Sequence, residues 1–469
     1  MSRASSRRML LHPAARFILR RIRVLRFLFG LTEPVGRRTY ALTGFGLMAF
    51  KYLVEAALIY AVTGRAFMPW HFLSPLVTMR MQFLAGATWL AWVLVIWTLP
   101  FMWIGVAMTL RRVVDAGWWP VVALIYFVPL LNFVLMLALC FVPTRAPDVR
   151  PSPAAVAIAD FRWGEAVLGT MLGFSITALI ALFSIQFLRE YTATLFLATP
   201  LIVGASGGFV MNYRRPQSLG PTIIVAVIAM VVAGGGFLLF AIEGIVCLAM
   251  AAPLALPMAV AGALLGRAMA RRMPRQPAQV PLMMIALPLA VVVETATRAP
   301  SAASVTTAIE IDAPPERVWP HVVGFEEIRA PRSWIFRAGI ACPMRARIHG
   351  TGAGAVRHCE FTTGPFIEPI TVWDEPRRLA FDVAAEPPPM EEWSPYGAID
   401  APHLHGYLHS QRGEFRLVPL PGGRTRLEGT TWYALRIYPS AYWHLWSDLL
   451  IHRIHERVLD HIKREVESP

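Results

Sequence analysis

A chain of 469 residues that is 56% hydrophobic and 16% charged, with a mean hydropathy of +0.50, has too much apolar and too little charged surface for an ordinary water-soluble protein. Its formal charge of +14 is unevenly placed: residues 1–300 hold 26 Lys and Arg against 9 Asp and Glu, and residues 301–469 hold 18 against 21. The cations sit in short clusters between apolar runs (Arg3 to Arg26, Arg111-Arg112, Arg214-Arg215, Arg267 to Arg275), the pattern of loops held against anionic lipid on the cytoplasmic side of a membrane, so nucleic acid is not an expected partner.

In chain order, residues 1–32 read as a basic cytoplasmic arm. A helix needs about 20 apolar residues to cross the hydrocarbon layer. Runs at 40–63, 82–110, 118–142, 165–188, 193–213, 221–242 and 245–265 qualify, and a shorter one at 280–295 carries Pro288. The joint at Glu243 is short enough to make a hairpin of its flanking helices. Lys51 and Glu55 fall mid-span at i, i+4, where a charge costs several kcal/mol unless neutralised, so they are expected to pair. Gly204, Gly207 and Gly208 read as close helix packing rather than a phosphate loop, because no strand precedes them. The four cysteines, Cys140, Cys247, Cys342 and Cys359, form neither a disulfide framework nor a CxxC site, and no metal or cofactor is expected.

Residues 33–145 resemble the small bacterial membrane family DUF805. The carriers are Gly36-Arg37-Arg38-Thr39-Tyr40, then Arg111-Arg112-Val113-Val114-Asp115-Ala116-Gly117-Trp118-Trp119, then Val128-Pro129-Leu130-Leu131-Asn132. The usual His before the Asp is Val114 here. The resemblance implies a membrane location and no reaction. Arg111, Arg112 and Asp115 are expected on a cytoplasmic turn, the arginines meeting lipid phosphates, with Trp118 and Trp119 anchoring the next helix. Residues 146–300 hold four or five further spans and a linker.

From Val305 the pattern changes to period two, the mark of a half-buried strand, and ends at Ala313-Pro314-Pro315, where a short helix opens. Strands are expected at 345–349, 355–362, 367–374, 378–383, 403–411, 413–420 and 425–437, then a helix over 442–465. The segment 386–395, with Pro387-Pro388-Pro389, reads as a stiff loop that cannot pair, in which Met390 and Trp393 could gate a cavity. Ile309-Glu310-Ile311-Asp312-Ala313-Pro314-Pro315-Glu316-Arg317-Val318-Trp319, Gly352-Ala353-Gly354-Ala355-Val356-Arg357 and Trp373-Asp374-Glu375-Pro376-Arg377-Arg378-Leu379 resemble the START-like superfamily, also called SRPBCC or polyketide cyclase/dehydrase and lipid-transport proteins. The expected fold class is therefore a multi-pass α-helical membrane bundle plus an α+β helix-grip (START-like) domain over 301–469, its antiparallel sheet wrapped around a long C-terminal helix. The resemblance implies a cavity for a hydrophobic small molecule.

Candidate ligand contacts are Trp319, Ala355, Arg357, Trp393, His405, Tyr407, Ile451, His452, His455 and Val458. Glu360, His452 and His455 are the acid/base candidates. His403, His405, Tyr407 and His409 share one face if their strand is unbroken, and His444, Asp448, His452 and His455 share one face of the last helix. Three functions stay open: binding or transfer of a lipid- or isoprenoid-like molecule, a cyclase-, dehydratase- or hydrolase-like activity on a membrane-soluble substrate, and a non-catalytic sensor or assembly role. The expected partners are membrane lipids and the hydrophobic ligand, protein partners being unspecified. The expected location is the cell membrane. The side of the C-terminal domain is left open by span parity, with a lean to the cytoplasm.

Overall fold

The computed structural model describes residues 34–468, apart from 74–83, 85–86, 119, 128–130, 145–162, 188–189, 214, 273–288, 297–299, 329–332 and 395, together with residues 24 and 27–30. Most of the basic arm, Trp119 and the first half of the run at 280–295 lie outside the described residues.

The N-terminal half is helical: α1 Arg37–Thr63, α2 Thr88–Asp115, α3 Leu131–Phe141, α4 Trp163–Ala181, α5 Thr199–Asn212, α6 Leu219–Leu239 and α7 Ile245–Arg272. Among the described residues, five stretches are long and apolar enough to cross a membrane: Arg37–Thr63, Leu168–Ile185, Thr194–Asn212, Leu219–Leu238 and Ile245–Arg271. The run expected as one span over 118–142 is instead broken into a 3-10 turn, Pro120–Phe127, and the 11-residue α3. At 1.5 Å per residue α3 is only about 17 Å long, half of what a crossing needs. Arg112 Nε donates to Leu139 O at 3.0 Å and its guanidinium also reaches Val142 O, so the chain returns to the end from which it left.

The arginine turn also differs from expectation. Arg111 and Arg112 are buried, Arg111 donating to Phe27 O at 2.6 Å and Arg112 pairing with Asp115 at 2.5 Å. These guanidiniums cap backbone carbonyls that an apolar surrounding would leave unsatisfied, which outweighs contact with lipid phosphate. Lys51 and Glu55 form the expected ion pair, with Glu55 fully buried and the ammonium 4.9 Å from the centre of the Phe72 ring. Gly204 and Gly208 on α5 face Ala259 O and Ala263 O on α7, and Gly262 and Gly266 on α7 face Leu201 O and Ala205 O on α5; a Cβ at any of the four would overlap those carbonyls. This reciprocal small-residue spacing lets the backbones of α5 and α7 approach closely.

The C-terminal half is a seven-stranded antiparallel sheet in the order β1-β9-β8-β5-β4-β3-β2. Its strands are β1 Ser301–Ile311, β2 Pro343–His349, β3 Val356–Phe361, β4 Gly364–Asp374, β5 Arg378–Asp382, β8 Leu408–Leu420 and β9 Arg424–Leu435. A two-stranded ribbon, β6 Glu392–Ser394 and β7 Gly397–Ile399, stands apart. Pro315 opens α8, Pro315–Val323, and the long α9, Ser440–Glu467, packs across the sheet. The two strands expected at 403–411 and 413–420 are one, β8, with a bulge between Ser410 and Arg412. Its upstream residues form a 3-10 turn, Pro402–Leu404, because Pro402 cannot donate to a ladder. The loop at 386–395 does pair, through Glu392 to Ser394.

The two halves share one apolar core. Phe196 packs on Trp443 with ring centroids 5.0 Å apart, Tyr191 on Tyr407 at 5.0 Å, and Tyr438 N donates to Tyr191 O at 2.9 Å.

Candidate functional site

Odd-numbered residues of β3 point from the sheet toward α9, which brings Arg357, Cys359 and Phe361 to one face. With Phe366 and Glu368 of β4, Phe381 of β5, Phe415 of β8, Thr431 of β9 and Ile451, Ile454, His455 and Val458 of α9 they line a cavity of about 120 Å³. A cavity of about 150 Å³ lined by apolar residues holds benzene. This one therefore suits a single ring or short chain and is too small for the whole lipid or isoprenoid that the sequence leads one to expect.

Of the charged residues in its wall, Arg357, Glu368, Arg412 and Glu414, the first two are buried. Arg357 and Glu368 are directly opposite in the β3–β4 register and form an ion pair, both buried. The guanidinium carbon lies 5.6, 5.5 and 5.6 Å from the ring centres of Phe325, Phe381 and Phe415, and Nε donates to Val323 O at 3.3 Å. Burial pushes the Glu368 carboxyl above the usual carboxylate range, and Arg357 offsets only part of that. Arg357 gives a ligand carbonyl or carboxylate a fixed donor inside an aromatic lining; Glu368 gives it an acceptor that protonates more easily than an exposed one.

The other predicted site residues are distributed differently. Arg357, Ile451, His455 and Val458 line the cavity. Trp319 lies in the core behind it, edge-on to Trp373 at 5.7 Å. Ala355 is buried at the start of β3, its carbonyl accepting from Ile370 N at 2.8 Å. Glu360 points to the opposite face of β3 and pairs with Arg345 at 2.6 Å, which lowers its pKa; even-numbered β3 residues look away from α9.

His452 Nδ1 meets Thr307 Oγ1 at 2.7 Å, and His455 meets Thr307 and Thr431 hydroxyls at 3.1 and 2.8 Å. Both ring nitrogens of His455 are thereby engaged by the fold, and burial pulls its pKa down to about 4. Farther along the same helix face, Tyr433 Oη contacts His444 Nδ1 at 2.8 Å and donates to Asp448 at 2.5 Å. This face is a hydroxyl–imidazole seam between α9 and the sheet.

The strand expected to align His403, His405, Tyr407 and His409 is absent upstream of Leu408, so these residues scatter. His405 and His409 are exposed and paired with Asp400 and Glu386, while Tyr407 and His403 turn toward the helical half. Trp393 is exposed and Met390 is buried against Ile340, Ala401 and Leu404, so neither gates the cavity. Glu368 is a candidate site residue with no signal in the sequence: what marks it is its place opposite Arg357, visible once strand register is known.

A second cavity, about 530 Å³, opens among α1, α2 and α3, with Tyr40, Met48, Lys51, Phe72, Met108 and Phe133 in its walls.

Residues 302–467 match the family model described as polyketide cyclase / dehydrase and lipid transport. Among solved structures the chain is similar to norcoclaurine synthase from Thalictrum flavum, at 10% identity over 37% of this chain and 98% of that one with a TM-score of 0.25. It is also similar to the Zhui aromatase/cyclase from Streptomyces sp. R1128, at 17% identity over 36% and 94% with a TM-score of 0.24. A third is a protein from Nitrosospira multiformis, at 18% identity over 35% and 97% with a TM-score of 0.23. No curated protein matches the chain. The matched residues begin at 302, so the DUF805 resemblance of 33–145 rests on its sequence motifs alone.

Proposed function

We propose that this protein is embedded in a membrane by its helical half and that its C-terminal domain binds a small hydrophobic molecule carrying a carbonyl or carboxylate, drawn from the bilayer beside it. The observation that carries this reading is the buried Arg357–Glu368 pair set in an aromatic-lined cavity. A ring burying roughly 200 Å² of apolar surface at about 25 cal/mol per Å² gains on the order of 5 kcal/mol before association costs. A hydrogen bond to the guanidinium adds about 1.5–3 kcal/mol, so the polar group decides whether binding is useful. Tethering beside the bilayer raises the effective concentration of a membrane-soluble ligand. The raised pKa of Glu368 favours a second reading, proton transfer to a bound carbonyl compound.

The side of the domain follows from the same reading. Arg267 donates to Gln217 O at 3.0 Å, so Arg215 and Arg267 lie at one end of α6 and α7. The domain contacts the other ends, at Tyr191, Glu243 and Cys247. The positive-inside tendency assigns the arginine end to the cytoplasm, and the domain therefore to the outer face, against the cytoplasmic lean of the sequence.

The test uses full-length protein in nanodiscs. Native mass spectrometry is expected to find a small co-purified molecule, and Arg357→Met with Glu368→Leu together is expected to lose it while the protein stays folded, since replacing both members of a buried pair by apolar residues is close to neutral. Retention of the molecule by the double variant overturns the assignment. Turnover abolished by Glu368→Gln with binding intact selects the second reading.

A further inference from the structure

The seam between the halves encloses polar groups that the cavity does not use. Glu243 stands in the joint between α6 and α7, Cys247 in the first turn of α7, Glu392 on β6 and His403 in the 3-10 turn before β8. Each is at least nine-tenths buried. One donor atom each from Glu243, Cys247 and His403 lies within 4.8 Å of the other two, and among the described residues no other His, Cys, Asp and Glu group offers three such atoms. His403 Nδ1 is 2.9 Å from Glu243 Oε2, and its Nε2 is 3.4 Å from Glu392 Oε1. Yet Glu243 Oε2, Glu392 Oε2 and both His403 nitrogens lack a hydrogen bond of sound geometry, an unusual state for buried polar atoms.

We propose that this seam binds one divalent transition cation of the zinc class through Glu243, Cys247 and His403, with Glu392 as the fourth donor. A mixed sulfur, nitrogen and oxygen set suits a borderline-soft ion and disfavours calcium or magnesium, which take oxygen alone. Bonds of about 2.0–2.3 Å in a tetrahedron need donors roughly 3.3–3.8 Å apart, so side-chain rotations on the order of 1 Å close the site. Tyr191 Oη already donates to Glu243 Oε1, and the Cys247 amide donates to Glu392 Oε1 at 2.9 Å; these outer contacts fix both carboxylates. On binding, the Cys247 thiol and the His403 imidazolium each release one proton to solvent, so the incoming double charge leaves the cluster's charge unchanged. Two donors come from the helical half and two from the C-terminal domain, so the ion locks one onto the other and can enter before they dock.

The full-length protein, purified without an affinity tag and stripped with a chelator, is titrated with Zn²⁺ and with Co²⁺. The expected result is one equivalent bound, a thiolate-to-cobalt charge-transfer band that Cys247→Ser removes, and at least tenfold weaker binding in His403→Gln. Should Cys247→Ser fail to fold, X-ray absorption of the zinc-loaded wild type decides, with a sulfur shell expected at about 2.3 Å. No stoichiometric metal, or a metal without sulfur in its shell, overturns the proposal and leaves His403 as a protonated bridge between the two carboxylates.

Discussion

Glu392 of the C-terminal domain caps a helix of the other half: its Oε1 accepts the Cys247 amide at 2.9 Å, across 145 residues of sequence. An N-terminal amide of α7 that no turn of its own helix can satisfy is thus met by a fully buried carboxylate, where the positive end of the helix favours negative charge. Gly244 makes room for it, since a Cβ there would overlap Glu392 Oε2. The docking of the domain is therefore fixed by a backbone position in addition to the apolar core that the two halves share.

Gly244→Ala should push Glu392 out of its cap and loosen the seam. The expected cost is a few kcal/mol, from the overlap and the unsatisfied buried groups together. It is read as a lower melting temperature and faster proteolysis of the full-length protein. Wild-type resistance in the variant would mean that the halves do not rely on this contact.

The Lys51–Glu55 pair should behave as a buried ion pair. Glu55→Gln leaves an ammonium without its carboxylate in an apolar bundle and is expected to cost about 3–5 kcal/mol. Lys51→Met combined with Glu55→Met should recover most of that. Equal melting temperatures in detergent for wild type, single and double variants would show that solvent reaches the pair.

His455 gives a pH dependence with a defined sign. Its folded pKa, about 4, lies below its ordinary 6.5, so the folded state prefers the neutral ring. The stability it contributes is complete above about pH 6.5 and is lost as pH falls toward 4. The full loss is about 3 kcal/mol. His455→Gln should flatten the slope of melting temperature between pH 6.5 and 4.5 relative to wild type. An unchanged slope would assign the titration elsewhere.

How much of this was legible in the sequence depends on the range of the interaction. Val305 to Ile311 announce a strand by strict alternation, and Gly204 and Gly208 announce close packing by their spacing, because both signals are local. The break at 118–142 was only hinted at by Pro129. Pro402, which ends the apparent strand through His403, was read past because a period-two pattern looks the same on either side of a 3-10 turn. The Glu243, Cys247, Glu392 and His403 seam has no local signature at all: its members come from two folding units, and only the docked structure turns them toward each other. Likewise Arg357 was singled out by its motif, whereas Glu368 needed the β3–β4 register.

The last expectation concerns sidedness and follows from the chain path. Arg37 and Arg38 open α1 and Arg111 and Arg112 close α2 at one end of the bundle, and the Arg112 bonds to Leu139 and Val142 return the chain to that end after its detour through α3. In the second part of the bundle α4 leads to Tyr191 at the domain end, α5 back to Arg215, α6 out to Glu243 and α7 back to Arg267 and Arg271. Arg215, Arg267 and Arg271 thus fall together at the end away from the domain, which the positive-inside tendency places in the cytoplasm. Alkaline phosphatase fused after Glu467 should be active, and green fluorescent protein at the same place dark. The reverse result would put the C-terminal domain in the cytoplasm and the arginine end of α5, α6 and α7 on the outer face.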